Sequence, residues 1–300
     1  MHCYLNLFDT QHLAVTFMTQ NSLSNQTSTA KIAQLFYYPV KSCAAIETDS
    51  AMVTPYGLQN DRRWMVMDAK TGKFITQRQK AKMAALQATV INQDVLMLGI
   101  QGSEESLMVE VTKDASSSHA LHNPWIWGDQ PDAIDQGDLA ASFLSEFLGI
   151  SVRLLHIEDS QLRVVDPESA GNSDHRVGFA DAFPFLVASK ASISRFSEDL
   201  GYQVDMRRFR PNIVVEGVDE AYAEDTWQGI RVNGMTFHIV KPCSRCVIPS
   251  INPDTLDKEK QVIQTLLDTR KQGKETFFGQ NAIVTGETCE IRVGDTVELF

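Results

Sequence analysis

The sequence has no run approaching eighteen apolar residues, so no membrane-spanning helix is expected. It has no surplus of positive charge: 27 lysines and arginines face 38 aspartates and glutamates, for a net charge of −11. That balance disfavours a general nucleic-acid-binding surface, which needs cations against phosphate. No glycine-rich phosphate loop and no G-x-G-x-x-G leading into a helix is present. A P-loop or Rossmann nucleotide domain is therefore not expected. Cysteine is scarce and odd in number: Cys3, Cys43, Cys243, Cys246 and Cys289. In a long acidic chain without a secretory signal, this usage points to a reducing compartment, with a cytoplasmic location as the default and no disulfide framework. The five thiols are too scattered for the C-x₄-C-x₂-C run of a plant-type iron–sulfur cluster. Internal repeats and long low-complexity runs are absent too.

Residues 1–30, "MHCYLNLFDTQHLAVTFMTQNSLSNQTSTA", lack the basic start and compact apolar centre of a signal peptide. Their second half is rich in Ser, Thr, Asn and Gln, so a disordered tail outside the fold is expected there, and Met18 is an alternative start.

What remains is ample for a core: the 300 residues are 43% hydrophobic, enough for one large domain or two. From Ile32 the chain reads as short strands and turns. "IAQLFYYPV", "VLMLGI" and "LMVEV" are strand candidates. "RRWMVMDAKTGKFITQR" reads as a hairpin with Gly72 in its turn. Regular strand–helix alternation is missing, so this half reads as a β-barrel or sandwich. A helix is expected over 138–148, capped by Asp138, closed by Gly149 and burying Leu139, Phe143, Phe147 and Leu148. A second is expected over 190–200, capped by Ser189 and ended by Gly201, with Ile193, Phe196 and Leu200 inward. A third, "EKQVIQTLLDTRK", would bury Val262, Ile263, Leu266 and Leu267. "NIVVEG", "IRVNGMTFHIV", "NAIVTG" and "CEIRVGDTVEL" are further strands, with Asn233-Gly234 as a hairpin turn. The polar loop 164–176 reads as mobile. The expected division is 31–150 and 151–300.

The chemistry centres on "HIVKPCSRCVIPSINPDT". Cys243 and Cys246 stand in C-x-x-C spacing after a strand-like run. Structural zinc would need about four ligands, and no second pair follows. A thioredoxin-type dithiol would need a helix starting at the first cysteine, and the two prolines and β-branched residues that follow oppose one. A single thiolate ligand to a soft or high-valent metal is a third reading, favoured by the neighbouring Lys241 and Arg245. Two ordinary buried cysteines are the fourth. His238 reads as a core or packing histidine. Cations also lead several strands: Lys41 with Ser42 in "YYPVKSC", Arg62 and Arg63 in "NDRRWMV", and Arg207, Arg208 and Arg210 in "MRRFRPNIVV". Guanidinium groups grip phosphate with paired hydrogen bonds, and lysine adds a point charge. Each cation taken alone reads rather as solvated surface charge.

Taken together, "YYPVKSC", "DRRWMV", "FRPNIVVEG", "YAEDTWQGIRVNG", "CSRCVIPSINPDT", "FFGQNAIV" and "IRVGDTVEL" resemble, in order, the motifs of MOSC proteins with an N-terminal MOSC β-barrel domain. The resemblance covers about residues 31–300. Within that family the resemblance is to the mitochondrial amidoxime-reducing components and to bacterial proteins giving resistance to hydroxylaminopurine. It implies a β-rich α+β fold, with an N-terminal MOSC β-barrel-like domain packed on a MOSC β-barrel domain carrying a few helices. It also implies a molybdenum–molybdopterin cofactor and reduction of N-hydroxylated compounds, a detoxifying activity independent of pyridoxal phosphate. By motif matching, Cys246 is the catalytic molybdenum ligand, and Ser244 and Arg245 belong to its loop. Lys41, Ser42, Arg62 and Arg210 match positions that hold the pterin and its phosphate, and Asn212 follows them. Cys243 would support the loop.

The chain also departs from the pattern. Ala182-Phe183 stands where the amidoxime reducers have Thr-Ser, and Asn281 where they have Tyr. Neither a membrane-targeting N-terminal helix nor a ferredoxin-like extension is evident. Electrons are then expected from a separate donor protein: ferredoxin-like, a flavin reductase or cytochrome b5-like. The competing expectation, suggested by MOSC domains on cofactor sulfurases, is a sulfur or cofactor carrier without turnover.

Overall fold

The computed structural model describes residues 29–300 except 93, 117, 118 and 173. Nearly all of the expected tail therefore lies outside the described residues. Its last residue, Ala30, belongs to the fold: it is buried, and its carbonyl accepts from the Val297 amide.

The strand-rich α+β class stands. The largest sheet runs, in order, through Ile46–Thr48, Lys31–Tyr37, Ile213–Glu216, Phe185–Ser189, Glu275–Thr285, Met235–Ser244, Gly229–Val232 and Glu298–Leu299. One pair in it, Phe185–Ser189 with Ile213–Glu216, is parallel. A parallel neighbour needs a long crossover, and the helix Lys190–Leu200 supplies it. A second sheet joins Trp64–Asp68, Val152–His156, Ala133–Asp135 and Leu121–His122, and a third is the meander Leu86–Ile91, Val95–Ile100, Ser106–Glu110. Hydrogen bonding crosses residue 150 in both directions. The first strand, Lys31–Tyr37, pairs with Ile213–Glu216, while Val152–His156 pairs back onto Trp64–Asp68.

Four helices lie among the described residues: α1 (Asp138–Leu148), α2 (Pro167–Ala170), α3 (Lys190–Leu200) and α4 (Lys260–Thr269). The first keeps its expected span, but its details differ. Gly137, at φ 89°, is the N-cap, and the Asp138 carboxylate binds Arg153 instead at 2.7 Å. Leu139 is 76% exposed, and the buried stripe is Ala140, Ala141, Leu144 and Leu148, with Phe143 and Phe147 packed at its edge. Two alanines at the contact let the helix approach the sheet closely, and this sets its rotation. In α3 the Ser189 hydroxyl accepts from the Ser192 amide and Gly201 ends the helix in the left-handed region, as the sequence indicates. In α4 Val262 and Leu266 are buried, while Leu267 turns outward. Segment 164–176 contains more order than its composition suggests. Asp166 caps α2, and Arg163–Val164 pairs with Arg176–Val177.

Two features position the site. Asn233 and Gly234, with φ 49° and 82°, form the hairpin turn that launches the strand Met235–Ser244; a turn with both central φ positive matches the twist of antiparallel strands. That strand pairs with Glu275–Thr285, and its register shifts twice near its end, between Ile239 and Lys241 and between Pro242 and Ser244. Pro242 has no amide to give to the ladder. The strand end therefore bulges and presents residues 243–246 away from the regular sheet.

Candidate active site

A cavity of about 520 Å³ opens where the cysteine strand meets the loops after Tyr37 and before Ile213. Every residue that motif matching assigned to the cofactor lines it: Lys41, Ser42, Arg62, Arg210, Asn212, Ser244, Arg245 and Cys246. The other strand-leading cations, Arg63, Arg207 and Arg208, do not line it and bind Asp159, Asp205 and Glu259 instead. Six cations face it (Lys41, Arg62, Arg78, Arg210, Lys241, Arg245) against two carboxylates, Asp181 and Glu275. On a chain of net charge −11, this is a local concentration of positive potential suited to an anion.

One wall is built around Tyr38. Its ring is buried between two guanidiniums, Arg62 at 4.3 Å and Arg210 at 4.1 Å from the centroid, and its hydroxyl donates to the Pro211 carbonyl. Arg62 is engaged by the protein itself. It donates to the buried Asp61 at 2.5 Å, to Asn212 Oδ1 at 3.1 Å and to the Arg210 carbonyl at 3.2 Å. Asp61 also takes the Tyr38 amide at 2.8 Å. Asn212 is 1% exposed; its Oδ1 accepts from the Leu186 amide as well, and its Nδ2 donates to the Phe36 carbonyl. The Ser42 hydroxyl accepts from the Gln77 amide at 3.0 Å. Ser42, Arg62 and Arg210 all have left-handed backbones, with φ 65°, 49° and 56°. Three such non-glycine residues on one wall mark a site whose geometry is imposed by its surroundings.

Lys41 is buried. Its ammonium donates to the Phe179 carbonyl at 2.7 Å and pairs with Asp181. Burial pulls its pKa down to about 8, against the opposing pull of the Asp181 charge. The crowded wall pushes the Asp181 carboxyl up, but the Lys41 charge and the hydrogen bonds from Lys41 and Trp127 prevail and hold it well below the usual range.

Arg210 differs from Arg62. Its Nη1 donates to the Cys43 carbonyl at 2.7 Å, but its buried Nη2 meets no acceptor. Burial and then the Arg62 charge pull its pKa down to about 10. Arg245 has the same character. It reaches Cys243 Sγ at 2.9 Å and the Phe209 carbonyl at 2.8 Å, while its buried Nε is unpartnered. Buried donors without acceptors are costly, and these two belong to residues that line the cavity. Oxygen-rich groups such as a phosphate or a pterin fit them.

Cys246 is exposed, its sulfur 3.5 Å from the Ile248 amide. Only a three-residue 3₁₀ turn, Ile248–Ser250, follows, so the helix that a thioredoxin-type dithiol needs is absent here. Among the described residues no group of three or more His, Cys, Asp or Glu could hold a metal ion. Cys243 is half-buried against Arg245, and Ser244 is exposed at the strand end. Cys43 is an ordinary buried thiol, pushed up to about 12 by burial. His238 is not a core residue: it is half-buried, meets Thr285 across the ladder at 2.8 Å and does not line the cavity.

Several participants were not read from the sequence. Tyr38 and Asp61 lie within the quoted motifs "YYPVKSC" and "DRRWMV", and a buried partner for an arginine could have been sought there. Asp181, Trp127 and Arg78 converge from distant segments, and no spacing announces them.

Comparison with known proteins gives the family. Residues 29–151 match the MOSC N-terminal beta barrel domain and residues 174–298 the MOSC domain. The chain belongs to the MOSC family. It is 30% identical over 286 residues to human mitochondrial amidoxime-reducing component 1, covering 90% of this chain and 82% of the relative. The mouse counterpart is 32% identical over 289 residues, with the same coverage. A zebrafish (Danio rerio) molybdenum cofactor sulfurase is 28% identical over 267 residues, 83% of this chain but 31% of the relative. Among the described residues no helix is long and apolar enough to cross a membrane.

Proposed function

We propose that the chain is a molybdenum-cofactor-dependent oxidoreductase that reduces N-hydroxylated bases, amidoximes and hydroxylamines, in the cytoplasm, with electrons from a separate donor protein. One observation carries the reading. The same cavity holds an exposed thiol and two buried guanidinium N–H groups without acceptors. A thiolate suits a soft metal centre, and charged N–H donors suit phosphate and pterin oxygens. The relatives' names are consistent with this chemistry.

When bound, the cofactor would supply two-electron chemistry at molybdenum, by which N–OH, two electrons and two protons become N–H and water. The chain's own residues do the rest. Cys246 would ligate the metal. Arg210 and Arg245 would donate their free N–H groups to the cofactor, and Lys41 would set a positive charge beside the phosphate. Ser42, Arg62 and Asn212 would hold the wall in shape, with Ser244 at the loop's base. Phe183, Phe185 and Phe209 would keep water from that side of the cavity.

The sequence has no dinucleotide fingerprint and no cysteine cluster for an electron relay, so a donor must dock. With purified chain and an amidoxime or N-hydroxylated base, reduced viologen should drive turnover and NADH alone should not. Efficient NADH-driven turnover by the pure chain would refute the need for a donor. A cofactor-loaded protein that turns over no N-hydroxylated compound with viologen would favour the carrier reading, which the sulfurase relatives support.

A further inference from the structure

The cavity mouth carries an aromatic residue in an unusual setting. Trp127 sits at the tip of a tight turn closed by paired backbone bonds between Ile126 and Asp129, with Ile126 buried as its root. Trp127 and Gly128 both have positive φ, 53° and 106°. Glycine accepts such a backbone freely; a bulky residue does so only against strain. Strain of this kind persists where the surroundings impose it and is a pointer to function. The side chain gains little burial in exchange: Trp127 is 54% exposed, yet it lines the same cavity as Cys246. Its indole is locked in place, with Nε1 donating to Asp181 at 3.0 Å, Arg78 at 5.2 Å from the ring and Phe74 at 5.3 Å.

Phe183 also lines the cavity but is itself buried, 5% exposed, with the Lys241 ammonium 4.9 Å from its ring. Trp127 is thus the exposed ring. A fixed, exposed indole on the cavity offers flat π-surface, against which planar ligands stack and flexible aliphatic ones do not.

The geometry points to Trp127 as a specificity-determining residue that selects planar aromatic N-hydroxylated substrates over aliphatic ones by stacking. This inference rests on the reductase reading and narrows its substrate class.

The test compares Trp127→Leu and Trp127→Phe with the parent, each loaded with cofactor and checked for equal metal and pterin content. Reduced viologen supplies electrons. Benzamidoxime is the planar substrate and acetamidoxime the aliphatic one, and benzamidoxime binding is also measured by calorimetry without turnover. The parent should prefer benzamidoxime. Trp127→Leu should lower that preference about tenfold, through KM rather than kcat, and weaken binding to match. Trp127→Phe, which keeps a ring but loses the bond to Asp181, should stay within about twofold of the parent. An unchanged preference in Trp127→Leu would overturn the inference. So would equal losses in the Leu and Phe variants, which would assign the effect to the Asp181 bond. Binding that weakens in Trp127→Leu without turnover in any form would uphold the stacking role and refute the reductase reading. Absence of both binding and turnover in the parent would refute both.

Discussion

Arg62 and Arg210 lie 4.3 and 4.1 Å from the centre of one tyrosine ring and match the same kind of family position, yet the fold uses them differently. Arg62 has three protein acceptors, among them the buried Asp61. Arg210 has one, and leaves a buried N–H without a partner. The hydrogen bonds of Arg62 are met within the protein, whereas Arg210 and Arg245 each keep a buried N–H without a protein acceptor. Motif matching treats Arg62 and Arg210 alike as cofactor anchors. Their hydrogen bonds distinguish them: Arg62 would build the site, and Arg210 would offer it to a ligand.

Substitution should separate them most clearly. Arg62→Met leaves Asp61 buried without its cation, a change that typically costs about 3–5 kcal/mol. Chemical denaturation should show a loss of that order. Arg210→Met removes a charge whose burial is incompletely compensated, so stability should stay within about 1 kcal/mol of the parent. Its cofactor should instead leave about tenfold faster or more, as for the loss of one charge-assisted hydrogen bond. Equal destabilisation in both variants would erase the distinction.

A smaller effect should come from Lys41, whose ammonium is likewise held by protein acceptors. Its pKa falls from an ordinary 10.5 to about 8 in the fold. Between those values the unfolded chain holds a proton that the folded chain has released. The unfolded state then binds more protons, so this group's contribution makes stability rise with pH across the window. Below about 8 both states are charged and the contribution is flat. The rise should be about 3 kcal/mol across the window and should vanish in Lys41→Met. A denaturation midpoint series over pH 7 to 10 checks it, and an identical slope in the variant would contradict the assignment.

Local signals carried much of the fold. The helix spans, the Asn233-Gly234 turn and the Ser189 cap are fixed by neighbouring residues, and they were legible. The inward face of α1 was not, because two alanines rather than the larger Leu139 meet the sheet. Nor was the strand exchange across residue 150, which depends on pairings between segments far apart. The site divides in the same way. Cys246 and the cations stand in readable motifs. The saturation of Arg62, the free N–H of Arg210 and the meeting of Asp181 with Trp127 exist only in three dimensions.

On the proposed reading, Cys246 and the unpartnered N–H groups of Arg210 and Arg245 would together hold a molybdenum cofactor. Protein from a molybdenum-competent host should be assayed for metals and for the fluorescence of released, oxidised pterin. The parent should carry about one molybdenum and one pterin per chain, since one exposed thiol faces one cavity. Cys246→Ser should lose the metal, because a hydroxyl is a poor replacement for a thiolate, while Cys243→Ser should keep most of it. Stoichiometric zinc without pterin in the parent, or equal loss of molybdenum from both serine variants, would contradict the account.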